Sequence, residues 1–296
     1  MSKTTLKEKI REEVFLLDGA MGTQLFAAGI EAGKCNDYLN VESPKIVLDI
    51  HRAYIEAGSD AVLTNTFGAN KYALSRHGLG DMVEKINITG GQLGRLAAGK
   101  DKYVLGDIGP SGDFLEPLGN LKPTELKDAF AQQAKALLAS GVDGFIIETM
   151  TALDEIVIAI EAIKSVSKLP IFASMAFDEA GGDFRTMMGV SVKEAVSKIT
   201  SLGVEAMGFG CGKVSLEEYV KLAGRFASVS GDTVILAEPN AGKPELIDGL
   251  VVYNVSPEDF ALAAEKIHKA GVNIIGGCCG TGPEHIKALA DRLKKR

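Results

Sequence analysis

Eight short runs rich in β-forming residues, each followed by an amphipathic stretch, recur along this chain with a spacing of roughly 30 to 40 residues. The runs are Val14 to Ala20, Asp60 to Phe67, Tyr103 to Ile108, Gly144 to Thr149, Ile171 to Phe177, Glu205 to Cys211, Thr233 to Asn240 and Asn273 to Cys278. Most are continuously apolar rather than alternating, the pattern of parallel strands buried on both faces. Helix starts are signalled by Ser43-Pro44, Pro123-Thr124, Ser215 with Glu218 three positions on, and Ser256-Pro257. Helix ends are signalled at Gly58, Gly141, Gly203 and Gly271, where glycine supplies the left-handed conformation that stops a helix and turns the chain into the next strand. Eight such units in 296 residues predict a single α/β domain over 1–296, a closed (β/α)8 barrel with parallel strands. Residues 1–13 form a helical extension ahead of it. A doubly wound open sheet fits less well, because Asp18-Gly19-Ala20-Met21-Gly22-Thr23 lacks the glycine spacing of a dinucleotide turn.

Charge and cysteine usage narrow the chemistry. A net charge of −7 gives no electrostatic footprint for nucleic acid or an anionic membrane surface, and no stretch is long enough to span a bilayer. The first residues alternate charged and apolar side chains and lack the apolar core of a secretory signal. Four cysteines are too few for a disulfide framework, so the expected compartment is the reducing cytoplasm and the expected use of the thiols is metal binding or catalysis.

Three of those cysteines fall where a barrel does its chemistry, at the C-terminal ends of strands. Cys211 ends the sixth run and Cys278-Cys279 end the eighth, with Asn240 ending the seventh between them. Neighbouring residues of a regular strand point to opposite faces, so both members of the vicinal pair reach one point only if the backbone bends. Gly276, Gly277, Gly280 and Gly282 supply that freedom. Three thiolates with an exchangeable fourth position make a catalytic rather than a structural zinc site. Their formal charge leaves the metal at −1, poorly suited to activating water but well suited to a soft substrate thiol, which ionises on binding. A buried or redox-active vicinal pair, serving a non-catalytic zinc or redox-sensing protein, is the competing reading. Cys35, in an early loop, is read as structural. Of the four histidines, His51, His77 and His268 fall in helical runs, and His285 lies in the first turn of the last helix beside the cysteine loop.

The motifs resemble the homocysteine S-methyltransferase family, and within it the homocysteine-binding module of cobalamin-dependent methionine synthase. The resemblance rests on Asp18-Gly19-Ala20-Met21-Gly22-Thr23, Tyr38-Leu39-Asn40, His51-Arg52-Ala53-Tyr54, Thr64-Asn65-Thr66-Phe67-Gly68, Gly109-Pro110-Ser111-Gly112, Glu148-Thr149-Met150, Glu238-Pro239-Asn240-Ala241-Gly242 and Gly276-Gly277-Cys278-Cys279-Gly280-Thr281. It implies zinc held by Cys211, Cys278 and Cys279, with Asn240 as a labile fourth ligand that homocysteine sulfur replaces. It implies that Glu148 meets the substrate ammonium, and that Asp18 and the backbone of Gly19 and Ala20 complete the amino-acid clamp. Asn65, Ser111 and Ser174 are further candidates. The implied reaction is methylation of a homocysteine thiolate to methionine. The donor implied is a methyl-corrinoid protein or free methylcobalamin docking at the barrel mouth, since this length has no room for the other modules of a full methionine synthase. S-methylmethionine, S-adenosylmethionine or betaine are the alternative donors. One departure stands out: relatives carry asparagine before the upstream cysteine, where this chain has Gly210.

Overall fold

Eight parallel strands form one sheet in a computed structural model that describes residues 4–31, 33–247 and 250–294. They are β1 (Phe15–Leu16), β2 (Ala61–Leu63), β3 (Tyr103–Ile108), β4 (Gly144–Met150), β5 (Ile171–Met175), β6 (Ala206–Gly210), β7 (Val234–Glu238) and β8 (Ile274–Ile275). Their spatial order is β1-β8-β7-β6-β5-β4-β3-β2, so sequence neighbours pair all round and only the β1/β2 seam lacks a regular ladder. That seam is bridged by the Asp60 N–H to Leu16 O at 2.7 Å, and by two carboxylates accepting backbone N–H groups. Asp60 Oδ2 takes Leu16 at 2.9 Å, and Asp18 Oδ2 takes Leu63 at 3.0 Å. The expected (β/α)8 barrel is therefore present, nearly closed.

Helices α2 (Pro44–Ala57), α3 (Val83–Ala98), α4 (Pro123–Ala139), α5 (Leu153–Val166), α6 (Val192–Ser201), α7 (Leu216–Ala227), α8 (Pro257–Lys269) and α9 (Pro283–Leu293) form the outer layer. Their starts use the devices read from sequence. Pro44, Pro123 and Pro257 stand in first turns, and Ser215 and Glu218 make a reciprocal cap. Gly58, Gly141, Gly203 and Gly271 all have positive φ. Leu16, Val62, Val104, Ile147 and Ala173 meet the helices in one buried layer. The barrel interior is filled by Phe15, Leu17, Leu105, Ile146, Phe172, Leu236 and Ile274. Helix α1 (Leu6–Glu12) plugs the N-terminal end, inserting Leu6 and Ile10 into that interior cluster. It accounts for most of the expected extension, whose first three residues lie outside the described ones. Among the described residues, no helix is long and apolar enough to cross a membrane.

With its lower end plugged by α1, the barrel has a cavity at the end where the strands finish, and the β-to-α loops gather there.

Candidate metal centre and substrate cavity

Strand β6 stops at Gly210, and Cys211 then takes φ 51°, a left-handed conformation that a residue with a Cβ adopts at a cost. Its N–H still reaches Glu238 O at 3.3 Å. The next residue is clamped on both sides: Tyr219 Oη accepts from Gly212 N–H at 2.9 Å and donates to Gly212 O at 3.1 Å, and Asn240 Nδ2 donates to the same carbonyl at 2.9 Å. Strand β8 ends at Ile275, three residues before the vicinal pair. From there the chain is held by single hydrogen bonds to its neighbours. Gly277 N–H donates to Asp18 O, Cys278 N–H to Pro239 O, and Cys279 O accepts from Ala241 N–H, each at 2.9 Å. Gly280, at φ 82°, completes the bend, and Thr281 closes it by donating through Oγ1 to Cys278 O at 2.7 Å.

This arrangement brings three sulfurs together. Cys211 Sγ and Cys279 Sγ are 3.6 Å apart, Cys278 Sγ and Cys279 Sγ are 4.0 Å apart, and all three lie within 4.8 Å of one another. A zinc–sulfur bond of about 2.3 Å in tetrahedral geometry places ligand sulfurs about 3.8 Å apart. The three free thiols thus fit zinc in spacing and in softness. Hydrogen bonding from Cys211 and then Cys278 holds the Cys279 thiol below its usual range. Asn240 is buried, and its Oδ1 has no hydrogen-bond partner. An orphaned amide oxygen anchored through its own nitrogen beside the cysteine loop suits a labile ligand.

The sulfurs border a cavity of about 870 Å³ that opens at the barrel mouth. Asp18, Gly19, Ala20, Asn65 and Glu148 line it. Glu148 follows the interior residue Ile146 by two positions, so strand alternation turns it to the same inward face. The pairing of β4 with β5 slips between Ile147 and Met150, and Thr149 takes φ 61° as the strand ends. Burial, and next the charge of Cys279, push Glu148 up to about 7, opposed by a hydrogen bond from Asp107. Asp18 is pushed well above the usual carboxylate range by burial, although it accepts the Leu63 N–H. The Ala20 N–H already bonds Thr281 Oγ1 at 3.2 Å, and Asn65 Nδ2 donates to Asn36 O at 2.8 Å and Asn40 Oδ1 at 3.1 Å.

Other candidates lie differently. Ser111 is buried and bonds Glu155 Oε1 through both its N–H and its hydroxyl, at 2.7 and 2.6 Å, so it anchors the loop after β3 to α5. Ser174 donates to Glu238 Oε2 at 3.5 Å. His285 accepts the Gly282 N–H at Nδ1 and donates from Nε2 to Val255 O at 3.0 Å, so both ring nitrogens are occupied in fastening α9. Cys35 borders the cavity but stands outside the sulfur cluster, its Sγ 3.8 Å from Asp37 Oδ2. Sequence reasoning does not single out Asp107, Glu238 or Tyr253, all of which line the cavity. An acid at the end of an apolar strand is the signal that marks the first two. The departure at Gly210 has a packing counterpart, since a Cβ there would lie 3.1 Å from both Cβ and O of Glu238.

A family model described as homocysteine S-methyltransferase matches residues 15–293. The chain belongs to the homocysteine S-methyltransferase family. Over 97% of its length it is 32% identical to methionine synthase of Mycobacterium tuberculosis, and 31% identical to that of Mycobacterium leprae. It spans about 25% of the length of either relative. The fold also matches the metallated homocysteine methyltransferase MmuM from Escherichia coli, at 22% identity and a TM-score of 0.80, covering 97% of this chain and 99% of that one. Family membership and barrel therefore agree with the resemblance carried by the motifs.

Proposed function

We propose that this chain is a zinc-dependent methyltransferase that binds homocysteine in the barrel-mouth cavity and methylates its sulfur to methionine, taking the methyl group from a methyl-corrinoid donor. The observation that carries this reading is the convergence of Cys211, Cys278 and Cys279 at 3.6 and 4.0 Å, spacings that suit one tetrahedral ion, on the wall of a cavity with a buried acid.

Cys211, Cys278 and Cys279 would hold the zinc, with Asn240 Oδ1 at the exchangeable position. When bound, zinc supplies a soft Lewis acid that lowers the pKa of a thiol in that position, so its sulfur is a nucleophile at neutral pH. Glu148 binds the substrate ammonium. Burial alone disfavours its charge, and the ammonium restores the carboxylate form by pairing with it. Asp18 and the backbone at Gly19 and Ala20 orient the amino-acid end beside the β1/β2 seam. With that end fixed, the sulfur faces the open mouth for in-line attack on the methyl carbon. The new sulfur–carbon bond forms as the carbon–donor bond breaks, and its electron pair leaves with the donor.

The surroundings of the mouth support a macromolecular donor. Phe26, Phe67, Phe114, Leu118, Met187 and Leu246 are exposed there, on segments that follow β1, β2, β3, β5 and β7. Phe26 and Phe67 line the cavity itself, and exposed apolar side chains on these loops form a surface that a corrinoid protein would cover. We place the reaction in the cytoplasm, where reducing conditions keep the thiols free.

A donor panel tests the reading. Zinc-loaded protein with homocysteine is expected to form methionine from methylcobalamin or a methyl-corrinoid protein. Methionine from S-methylmethionine, S-adenosylmethionine or betaine alone would overturn the corrinoid assignment and leave the rest standing. Protein that binds no zinc and cycles a Cys278–Cys279 disulfide would instead be the redox sensor.

A further inference from the structure

A polar layer caps the apolar interior of the barrel at the floor of the cavity. Leu105, Ile146, Phe172 and Leu236 belong to the interior cluster, and two positions further along the same strands stand Asp107, Glu148, Ser174 and Glu238. Alternation turns each of these onto the same inward face, one layer higher. Asp107, Glu148 and Glu238 line the cavity, and Ser174 is bonded to Glu238. Asp107 is held by its backbone, whose N–H donates to Thr64 Oγ1 at 2.9 Å and whose carbonyl accepts from Thr66 Oγ1 at 2.8 Å. Its side chain is not matched in the same way. The residue is 4% exposed, and Oδ1 has no hydrogen-bond partner. A buried acceptor left unpaired is costly, so one kept at the floor of a cavity calls for a ligand that donates to it. A metal ion does not fit that part: among the described residues the one converging trio of metal-ligating side chains is Cys211, Cys278 and Cys279. Among the described residues no arginine lines the cavity, and its one lysine, Lys34, is exposed.

We propose that Asp107 is a substrate-contacting residue whose Oδ1 accepts a hydrogen bond from the ammonium of an amino-acid thiol, beside Glu148, so that the cavity floor selects for a free amino group. The inference rests on the homocysteine reading above and adds a residue to it. An ammonium carries three N–H donors, and one taken out of water is stable only when its charge is paired and its donors are met. Glu148 supplies the charge, but its two carboxylate oxygens meet at most two of the three donors. Strands β3 and β4 pair side by side with Asp107 opposite Ile146, so Asp107 and Glu148 reach the cavity from adjoining strands. The free Oδ1 is the acceptor that the remaining donor requires.

Calorimetric titration of the zinc-loaded full chain with homocysteine and with its desamino analogue 4-mercaptobutanoate is the test. Asp107→Asn removes the charge while keeping the shape of the side chain, and Asp107→Ser removes its reach. Both variants are expected to hold as much zinc as wild type. Homocysteine affinity falls about tenfold in each, the loss of a hydrogen bond to a charged group, while 4-mercaptobutanoate binds as it does to wild type. Wild-type homocysteine affinity in both variants overturns the proposal. Equal losses for the two thiols also overturn it, since the packing of the cavity floor rather than the ammonium is then at work. Those outcomes leave the homocysteine reading intact, whereas wild-type protein that binds neither thiol, or binds both with equal affinity, overturns the proposal together with the amino-acid clamp.

Discussion

Cys211 Sγ lies 3.6 Å from Cys279 Sγ although 68 residues separate them, and the backbone at Cys211 adopts φ 51° to achieve it. A non-glycine residue in that region costs about 1 to 2 kcal/mol, which is tolerable where it aims a ligand. Cys211→Gly separates the two roles. Glycine relieves the backbone strain and gives back about 0.5 to 1 kcal/mol in unfolded-state entropy. The metal-free variant is expected to keep its urea midpoint near the wild-type value, with a stability change within about 1 kcal/mol. Its zinc content after dialysis is expected to fall from one per chain to well below one. Retention of stoichiometric zinc would remove Cys211 from the ligand set.

Glu148 makes a prediction that depends on the substrate's amino group. A charge-assisted hydrogen bond is worth about 1.5 to 3 kcal/mol, so Glu148→Gln is expected to raise KM for homocysteine by about 30-fold. The desamino analogue 4-mercaptobutanoate lacks the ammonium and should bind wild type and variant alike. Zinc content should not change. Equal losses for both thiols would assign Glu148 to the metal site or to packing instead.

The order and number of the strands were legible because parallel strands buried on both faces are written as continuous apolar runs, and β3 occupies the expected Tyr103–Ile108. Strand lengths were not. The expected Val14 to Ala20 shortens to Phe15–Leu16, because the β1/β2 seam is bridged by the side chains of Asp18 and Asp60, for which periodicity carries no signal. The expected Asn273 to Cys278 shortens to Ile274–Ile275, because the chain peels away to present both cysteines. The sulfur cluster could be read from residue type plus strand position. The meeting of Asp107 and Glu148 in one cavity could not, since it comes from the lateral pairing of β3 with β4, for which an apolar run carries no signal. Nor could the fate of Ser111, whose hydroxyl bonds Glu155, a helix residue 44 positions away.

Asp37 gives the chain a pH dependence of known sign. It is buried, accepts the Gly68 N–H at 2.9 Å, and is pushed by burial from an ordinary 3.8 up to about 6. Between those values the folded chain holds a proton that the unfolded chain has released, so stability is full below the lower value and falls as pH rises through the upper one. Asp37→Asn keeps an acceptor for Gly68 and abolishes the titration. Urea midpoints of both proteins at about pH 4 and about pH 7 are expected to show wild type losing more than the variant over that interval. An identical difference between the two proteins at both pH values would place the Asp37 carboxyl in an ordinary aqueous environment.

Gly208 marks the tightest approach of β6 to β7 below the metal centre, and a Cβ there would lie 1.8 Å from Leu236 O. Backbone cannot swing aside as a side chain can, so the strands themselves would have to separate. They are paired in register from Ala206 to Gly210, with Gly208 opposite Leu236, and the displacement would propagate to Cys211 and Glu238 at their upper ends. Overpacking of this kind costs about 1 to 3 kcal/mol. Gly208→Ala is therefore expected to lower the urea midpoint by a corresponding amount and also to weaken zinc binding, although position 208 bears no ligand. Gly224→Ala is the control, since nothing lies within 4 Å of a Cβ built in that helix, and the added methyl should raise stability by about 0.5 to 1 kcal/mol. If the two alanine variants unfold at the same urea concentration, the close contact between Gly208 and Leu236 does not exist in solution.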